Sequence, residues 1–506
     1  MNTQQTSTLP CILSRAATQY PNSPAIITDK MTLTYHNLSL LVEETASQLQ
    51  AKGILRGERV GIFLPNSYEY AVLLMAMLRA GVVAVPVNTR WPQNQIANAL
   101  QSIGCQNLII ADEIVKPEGL DSINLIQISE IVKTDYFTKP GNSPLEGGQG
   151  GVTDLDSQTN APAQSINPNQ DATIIFTSGS AGKPKAALHT YKNHYYSALG
   201  SNQNITIGPG DRWLLSLPLY HVGGLGVLFR AALGGGAVVI PGAGIDLVDA
   251  IALYEVSHIS LVATQLYRLL QKEMNNNKMG SLKAVLLGGS AIPTSLIKNT
   301  HERKIPLFTT YGSTEMASQV ATTSPGDPLN KLYTSGKLLP HRELMISPEG
   351  EILVRGETLF KGYLTKKGLR NPFSRNGWFA TGDLGEFDSG GYLLVTGRKD
   401  NMFISGGENI QPEEIELALC KIDGVLQAVV VPVADAEFGQ RPVAFVKMQT
   451  GRQLDADFLS KQLAQHIARF KIPDRFLAWP QRLLESDMKV DRKYFLNSLK
   501  SQCNAT

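Results

Sequence analysis

The strongest chemical signal in the sequence is a run of small and hydroxyl residues that ends in two lysines. An apolar segment beginning at Thr173 leads into it, and the candidate binding residues are Thr177, Ser178, Gly179, Ser180, Ala181, Gly182, Lys183 and Lys185. Small residues let several backbone N–H groups point at one anion, and hydroxyl and ammonium groups add donors. The order of residues predicts a polyphosphate loop, whereas composition alone favours an ordinary Ser/Gly turn. Because Pro184 stands where a Walker loop has Ser or Thr, this is not a Walker loop.

The elements that must position this loop follow an α/β pattern. Helical patterns over 38–49 and 68–78 alternate with strand patterns over 60–64, 82–87 and 108–111. Alternation of this kind predicts βα units, a largely parallel sheet and packed helices in a large N-terminal region.

Two breaks divide the chain. Residues 137–170 are rich in Gly, Pro, Ser, Asn and Gln, which predicts a flexible surface insertion. After the second break, a helix opening at Pro412, strands at 425–433 and 443–447 and a helix over 458–470 predict a small mobile α+β domain. We therefore expect an N-terminal region over 1–397, a hinge at 398–400 and a C-terminal lid over 401–506.

Composition excludes several classes of protein. The 506 residues carry a formal net charge of +2, and no dense basic run suggests nucleic-acid binding. The four cysteines lie far apart, which fits a reducing compartment. The polar N-terminus argues against a secretory signal, and the most apolar stretch, 71–87, is interrupted by Arg79 and Gly81. These features predict a cytoplasmic protein without a membrane span, and they leave a homo-oligomer open.

An ordered series of motifs resembles the adenylate-forming acyl-CoA synthetase superfamily over almost the whole chain. Besides the phosphate loop, the series consists of Leu217–His221, Leu287–Ser290, Tyr311–Glu315, Thr381–Asp383, Gly397–Asp400, Ser405–Ile410 and Lys489. The resemblance implies the substrates ATP and CoA with Mg²⁺. It implies that ATP is bound by the loop and by Gly288, Gly289, Ser290, Tyr311, Gly312, Ser313, Thr314, Asp383 and Arg398.

Two carboxylates have a physical reason for these implied roles. Asp383 follows a predicted strand end at 378–380, where it could accept hydrogen bonds from both ribose hydroxyls; an ordinary turn aspartate is the alternative. Glu315 follows a glycine turn and would supply a hard oxygen ligand for Mg²⁺. Its alternative is a helix N-terminal glutamate stabilised by the macrodipole.

The resemblance also implies catalytic and conformational residues. His221, Arg398 and Lys489 are the implied catalytic residues; Lys489 would offset the charge that builds as one anion attacks another. Met488 precedes this lysine where many relatives have glycine. Gly406 and Gly407 would line the tunnel for the pantetheine arm of CoA, and Asp400 would be the hinge. A core histidine and a solvated lysine are the alternatives for His221 and Lys489.

Further segments, including Trp213–His221 and Glu408–Ile415, resemble the o-succinylbenzoate–CoA ligase branch, which serves menaquinone and phylloquinone synthesis. Such a substrate has two carboxylates, and the non-reacting one needs a cationic partner in a mostly apolar pocket. Arg230 matches an arginine of that branch and could hold it, together with His221 and Gly289 at the acyl site. A structural ion pair or a solvated helix end is the alternative for Arg230.

The expected function is ATP-dependent formation of o-succinylbenzoyl-CoA, AMP and pyrophosphate through an acyl-adenylate. A ligase of another carboxylic acid, or a domain that loads a carrier protein, is the nearer alternative. A nucleotide-binding regulator without catalysis is the more distant one, although Glu315 and Lys489 are both present.

Overall fold

The computed structural model describes residues 8–113, 119–133, 164–177, 184–272, 279–290, 292–406, 408–449, 451–480 and 492–503. Lys489, Gly407, the loop residues 178–183 and residues 137–163 of the expected insertion lie outside these ranges. The predictions made for them stay predictions.

The first part of the chain is built from βα units. Its elements are β1 (Leu9–Pro10), α1 (Ile12–Gln19), β2 (Pro24–Ile27), β3 (Thr32–Thr34), α2 (Tyr35–Ala51), β4 (Arg59–Phe63), α3 (Tyr68–Ala80), β5 (Val83–Pro86), α4 (Gln93–Ser102), β6 (Asn107–Ile110), β7 (Asn124–Gln127), α5 (Ile128–Ile131), β8 (Ser165–Ile166), β9 (Asp171–Thr177), β10 (Lys185–Thr190) and α6 (Tyr191–Asn204). Ser67 caps α3 by accepting a hydrogen bond from Tyr70 N, and Gly81 ends that helix with φ +76°. The apolar run at 71–87 is therefore a buried helix followed by a strand, as the sequence predicts.

The middle of the chain continues this alternation and then becomes mostly β. Its elements are β11 (Arg212–Leu214), α7 (Val222–Gly234), β12 (Ala237–Val239), α8 (Leu247–Leu253), β13 (His258–Leu261), α9 (Ala263–Gln271), β14 (Ala284–Leu287), α10 (Thr294–Glu302), β15 (Leu307–Ser313), β16 (Ser318–Thr322), α11 (Leu329–Leu332), β17 (Lys337–Leu338), β18 (Arg342–Ile346), β19 (Glu351–Gly356), β20 (Gly362–Thr365), β21 (Gly368–Arg370), β22 (Phe379–Phe387) and β23 (Leu393–Arg398).

These strands form two large sheets and a smaller one. The first has eight strands in the order β21-β20-β10-β9-β5-β4-β6-β7, parallel from β9 to β7. The second has nine, in the order β17-β16-β15-β14-β13-β11-β12-β2-β3, parallel from β15 to β2. An antiparallel sheet, β18-β19-β22-β23, follows. The largest core draws residues from both large sheets and from α2, α3 and α7, so these helices pack between the sheets.

The C-terminal part forms a separate sheet with its own cores. Its elements are β24 (Phe403–Ser405), β25 (Glu408–Ile410), α12 (Pro412–Cys420), β26 (Val425–Asp435), β27 (Gly439–Met448), α13 (Ala456–Leu463), β28 (Arg475–Ala478) and α14 (Arg492–Cys503). Successive side chains of a strand point to opposite faces. Accordingly, Val430 packs with α12 and α13, whereas Val429 and Val431 pack with α14. The predicted fold class, an α/β N-terminal region with a smaller α+β unit, is confirmed; the mobility of that unit stays a prediction.

The structure corrects three local expectations. Ser165–Ile166 pairs with Leu9–Pro10, so regular structure begins within the expected insertion, because Ile166 can be buried against the core. Asp383 lies inside the nine-residue strand β22 rather than after a strand end. The helix predicted over 458–470 ends at Leu463, and Arg469–Lys471 forms a separate 3₁₀ turn.

Candidate active site

The β9–β10 hairpin holds the two described ends of the phosphate loop together. Thr177 and Lys185 are paired across the antiparallel strands, so the two residues that flank the predicted loop lie side by side. The Lys185 ammonium lies 5.3 Å from the centroid of the Tyr363 ring. This cation–π contact holds the lysine side chain beside β20, the strand that carries Tyr363.

Parallel strands bring two glycine-containing motifs to the same edge of the second sheet. Gly288, Gly289 and Ser290 follow β14, and its neighbour β15 ends in Tyr311, Gly312 and Ser313. Ligands of α/β proteins bind at such carboxyl ends. Gly312 is required there because a Cβ would lie 2.2 Å from Ser318 O of the adjacent strand. The Ser313 Oγ is buried without a hydrogen-bond partner in the described ranges, which leaves it available to a ligand.

Asp383, Tyr311 and Arg398 form a connected polar group. Tyr311 OH donates to Asp383 Oδ2 at 2.6 Å, and Arg398 Nη1 donates to Asp383 Oδ1 at 2.8 Å. Burial and the Asp383 carboxylate raise the pKa of Tyr311 well above its usual value, so its hydroxyl remains a donor. Each carboxylate oxygen has a second acceptor position. Asp383 is therefore held firmly while it can still accept hydrogen bonds from a pair of ribose hydroxyls.

Glu315 lies in the 3₁₀ turn Thr314–Met316 between β15 and β16, and nearby strands fix it. Tyr363 OH donates to its Oε1 at 2.7 Å, and Phe360 N donates to its carbonyl oxygen at 2.8 Å. His189 Nε2 lies 2.7 Å from Thr314 O, one residue earlier. Within the described ranges, no group of three or more His, Cys, Asp or Glu is arranged so that it could hold a metal ion. One carboxylate fits Mg²⁺, which keeps substrate phosphates and waters as its other ligands.

His221 lies immediately before helix α7, and Arg230 lies within that helix. Asn66 fixes the segment before His221, donating to Leu217 O and accepting from Leu219 N, both at 2.9 Å. His221 precedes α7, in contact with the ring of Tyr220 at a centroid distance of 4.7 Å. Arg230 follows two turns later on the same helix.

Arg230 is a buried cation that lacks an acidic partner among the described residues. Its side chain is 1% exposed, and its Nη2 donates to Ser318 Oγ at 3.0 Å. The guanidinium lies 5.2 Å from the Trp213 ring centroid. Nε and Nη1 are buried and have no hydrogen-bond partner in the part of the chain that is described. Burial lowers the pKa of Arg230 to about 10, so the group stays charged at neutral pH.

Neither alternative for Arg230 agrees with this geometry. The residue is not a solvated helix end, and the described carboxylates form no ion pair with it. Leaving buried donors unsatisfied costs free energy. The unpartnered donors can bind an anion, and a carboxylate fits the planar guanidinium.

The predicted hinge contacts both parts of the chain. Arg398 bonds to Asp383 and, at 3.4 Å, to Asp400, while its carbonyl oxygen accepts from Gln411 Nε2 at 2.8 Å. Lys399 Nζ lies 3.0 Å from Glu351 Oε2. The ribose motif and the hinge are therefore joined through polar contacts.

Gly406 adopts a φ of +57°, and a Cβ there would lie 2.8 Å from Phe438 Cδ1. This close approach requires glycine. Arg492 Nη2, at the start of α14, pairs with Glu416 Oε1 at 2.6 Å and thereby anchors the chain after the segment that contains Lys489. The N-terminal candidate residues thus lie at the ends of β9, β10, β14 and β15, within β22, and on or just before α7, while Gly406 and Arg492 lie in the C-terminal unit.

Residues 13–364 match the family model described as AMP-binding enzyme, and residues 414–484 match the one described as AMP-binding enzyme C-terminal domain. The chain belongs to the AMP-binding enzyme family. The resemblance predicted from the motifs is confirmed, since 2-succinylbenzoate–CoA ligases are among the relatives that match over nearly its whole length.

Two relatives, one of them in two solved structures, illustrate this similarity. The 2-succinylbenzoate–CoA ligase of Escherichia coli (strain K12) is 35% identical over 91% of this chain and 92% of its own. The o-succinylbenzoate CoA synthetase from Bacillus subtilis, in complex with the acyl-adenylate intermediate OSB-AMP, superposes with a TM-score of 0.78 at 30% identity, over 96% and 100% of the two chains. The Bacillus subtilis enzyme in complex with ATP and magnesium ion gives a TM-score of 0.79 at 31% identity, over 94% and 96%.

Several residues at the site were not predicted from the sequence. Tyr363 bonds to Glu315, and His189 contacts Thr314. Glu351 Oε1 accepts a hydrogen bond from Gly382 N at 3.0 Å. Sequence motifs do not reveal these three residues. Each one contacts a protein residue from a segment distant in the sequence. Among the described helices, none is long and apolar enough to cross a membrane.

Proposed function

We propose that the protein is an ATP-dependent acid–thiol ligase that converts o-succinylbenzoate and CoA to o-succinylbenzoyl-CoA, with release of AMP and pyrophosphate. The observation that carries the choice of acid is the buried Arg230, whose Nε and Nη1 find no partner in the described ranges. An aliphatic chain gives such a cation nothing to bind, whereas the aromatic carboxylate of o-succinylbenzoate satisfies both donors. The names of the relatives support the same acid.

In the first step, an oxygen of the succinyl carboxylate attacks the α-phosphorus of ATP. The bond from that phosphorus to the bridging oxygen breaks, and pyrophosphate leaves. The phosphate loop and Lys185 hold the phosphates, Asp383 holds the ribose, and Lys489 neutralises charge between the two reacting anions. Glu315 would hold Mg²⁺ together with the phosphates, and the ion would supply further charge neutralisation there. His221 lines the acyl site with Gly289, and Arg230 orients the acid by its second carboxylate.

In the second step, the CoA thiolate attacks the adenylate carbonyl, the acyl–oxygen bond breaks and AMP leaves. The C-terminal unit, residues 401–506, turns about Asp400 between the two steps, and Gly406 and Gly407 then line the pantetheine tunnel. Arg398 contacts both Asp383 and Asp400, which supports a link between nucleotide and hinge. The widely spaced cysteines and the use of ATP and CoA support a cytoplasmic location, with the product entering menaquinone or phylloquinone synthesis.

A pyrophosphate-release assay across a panel of acids, with and without CoA, tests this function. The proposal predicts release with o-succinylbenzoate and a further increase in turnover when CoA is present. Turnover with fatty acids but not with o-succinylbenzoate would contradict the choice of acid. No release with any acid would favour a nucleotide-binding regulator.

A further inference from the structure

A short segment, Phe360 to Tyr363, holds Glu315 at both its main chain and its side chain. Phe360 N donates to Glu315 O at 2.8 Å, and Tyr363 OH donates to Glu315 Oε1 at 2.7 Å. The carboxylate therefore has a fixed backbone and a fixed rotamer. Its second oxygen, Oε2, accepts no hydrogen bond from any residue in the described ranges, so it can face a ligand.

The Tyr363 hydroxyl is suited to this single task. Tyr363 lies on β20, paired with Ala187 of β10, and its side chain is 9% exposed. Its hydroxyl donates to Glu315 Oε1 at 2.7 Å, and this bond joins β20 to the turn between β15 and β16. In a contact between a phenol hydroxyl and a carboxylate, the phenol is the hydrogen-bond donor and the carboxylate is the acceptor.

The rest of the Tyr363 side chain is fixed independently of the hydroxyl. The ring packs edge-on against Phe360, with centroids 4.8 Å apart, and against Phe379 at 6.5 Å. Lys185 Nζ lies 5.3 Å from the same ring centroid. Replacing tyrosine with phenylalanine keeps all these contacts and removes only the bond to Glu315.

We propose that Tyr363 is a positioning residue for the magnesium site, whose hydroxyl occupies one oxygen of Glu315 and thereby aims the other at the Mg²⁺ bound with ATP. The inference rests on the proposed function in that it takes Glu315 as the metal ligand. Groups that orient a metal ligand in this way typically change metal affinity by about 10- to 100-fold when they are removed.

Calorimetric titration of ATP into the free protein, with and without Mg²⁺, tests the inference without using turnover. We expect Tyr363→Phe to bind metal-free ATP as the wild type does and to lose about tenfold in affinity for Mg·ATP. Thermal melting checks that the variant is folded. Tyr392→Phe is the matched control, since Tyr392 OH donates to Asp327 Oδ1 at the same 2.7 Å away from Glu315.

A second variant separates positioning from a general loss of stability. In a Glu315→Gln background, Tyr363→Phe should cause no further loss of Mg·ATP affinity, because the oriented oxygen is already gone. Equal Mg·ATP affinity in Tyr363→Phe and wild type would overturn the inference, as would an equal loss in Tyr392→Phe. A wild type that binds Mg·ATP but turns over no acid would contradict the proposed function and leave this inference intact.

Discussion

At the scale of single residues, Arg230 is the feature that most restricts the substrate. Its guanidinium is buried against Trp213, with one bond to Ser318 and two donors without partners among the described residues. Burying an incompletely paired charge costs free energy in the empty protein. The protein tolerates that cost, which is explained if a carboxylate completes the pairing when substrate binds.

Arg230→Met should therefore separate stability from activity. Removing the charge should leave the protein at least as stable, because no uncompensated cation remains to be buried. The value of kcat/KM for o-succinylbenzoate should fall at least about 30-fold, equivalent to about 2 kcal/mol. Thermal melting and steady-state kinetics measure the two effects. An unchanged kcat/KM would show that Arg230 does not bind the acid.

The buried His189 side chain should make the stability of the folded protein depend on pH. Its Nε2 contacts Thr314 O, and burial lowers its pKa to about 4. An unfolded chain takes up a proton on this histidine near pH 6.5, whereas the folded state does not. Stability from this group is therefore complete above pH 6.5 and is lost as the pH falls from about 6.5 to about 4.

The expected contribution of His189 is about 2 kcal/mol of lost stability between pH 7.5 and pH 5. Urea unfolding at the two pH values measures it. His189→Gln should reduce the difference by that amount, while His466→Gln, at an exposed position, should not. The same pH dependence in all three proteins would contradict this role for His189.

Residue types and spacing supplied the candidate ligand-binding groups, but they could not reveal the residues that position those groups. The ordered motifs pointed to Asp383, Glu315 and Arg230 because each has a side chain suited to a ligand. Tyr363 and His189 bind other protein groups, and only the pairing of β10 with β20 and the packing of β10 near Thr314 bring them there.

At the scale of elements, the close pairing of β15 and β16 shapes the proposed nucleotide site. Gly312 pairs with Gln319, and a Cβ at Gly312 would lie 2.2 Å from Ser318 O. The neighbouring Ala317 and Ser318 have positive φ values of 54° and 131°. The turn that carries Glu315 is thus constrained on both sides by backbone geometry.

Gly312→Ala should force these two strands apart. We expect a loss of about 1–3 kcal/mol in stability and a larger relative loss in ATP affinity, because Tyr311 and Glu315 move with the strand ends. Gly208→Ala is the control, since a Cβ at Gly208 would have no atom within 4 Å. Denaturant unfolding and calorimetric ATP titration measure both effects. An alanine at 312 with normal ATP affinity would contradict this account of the site.

The helices and strands with clear periodicity were predictable, and their ends were less so. The helix at α2 and the strands β4 to β6 lie within a few residues of their predicted positions, because the helix is amphipathic and buried strands are continuously apolar. The helix α13 ends at Leu463 although neither Gly nor Pro marks that end. Ile467 and Ile472 instead pack on the C-terminal core, and this tertiary contact is not visible in the local sequence.

At the scale of the whole molecule, the order of motifs predicted two units joined at the hinge, but not their sheet orders. The two large sheets combine strands from distant parts of the chain, such as β2 beside β12. Such pairings depend on packing between α2, α3 and α7, which no local pattern encodes. The motifs supplied candidate ligand-binding residues, whose roles stay predictions, but they did not supply the scaffold that joins them.

Lys489→Ala should affect the two half-reactions unequally. Lys489 is proposed to act where two anions react, so adenylate formation should fall by at least about 100-fold. Thioester formation from supplied acyl-adenylate should change little, because in that step the C-terminal unit is proposed to present Gly406 and Gly407 rather than Lys489. Rapid-quench measurement of each half-reaction checks this split. Equal losses in both steps would refute the proposed role.

The most direct test of the central claim compares o-succinylbenzoate with 4-oxo-4-phenylbutanoate, which lacks only the aromatic carboxylate. Values of kcat/KM are measured for both acids with ATP, Mg²⁺ and CoA, and the thioester is identified by mass spectrometry. We expect o-succinylbenzoyl-CoA as the product. The wild type should prefer o-succinylbenzoate to 4-oxo-4-phenylbutanoate by at least about 30-fold, and Arg230→Met should lose this preference. Equal use of the two acids by the wild type, or turnover of fatty acids alone, would contradict it.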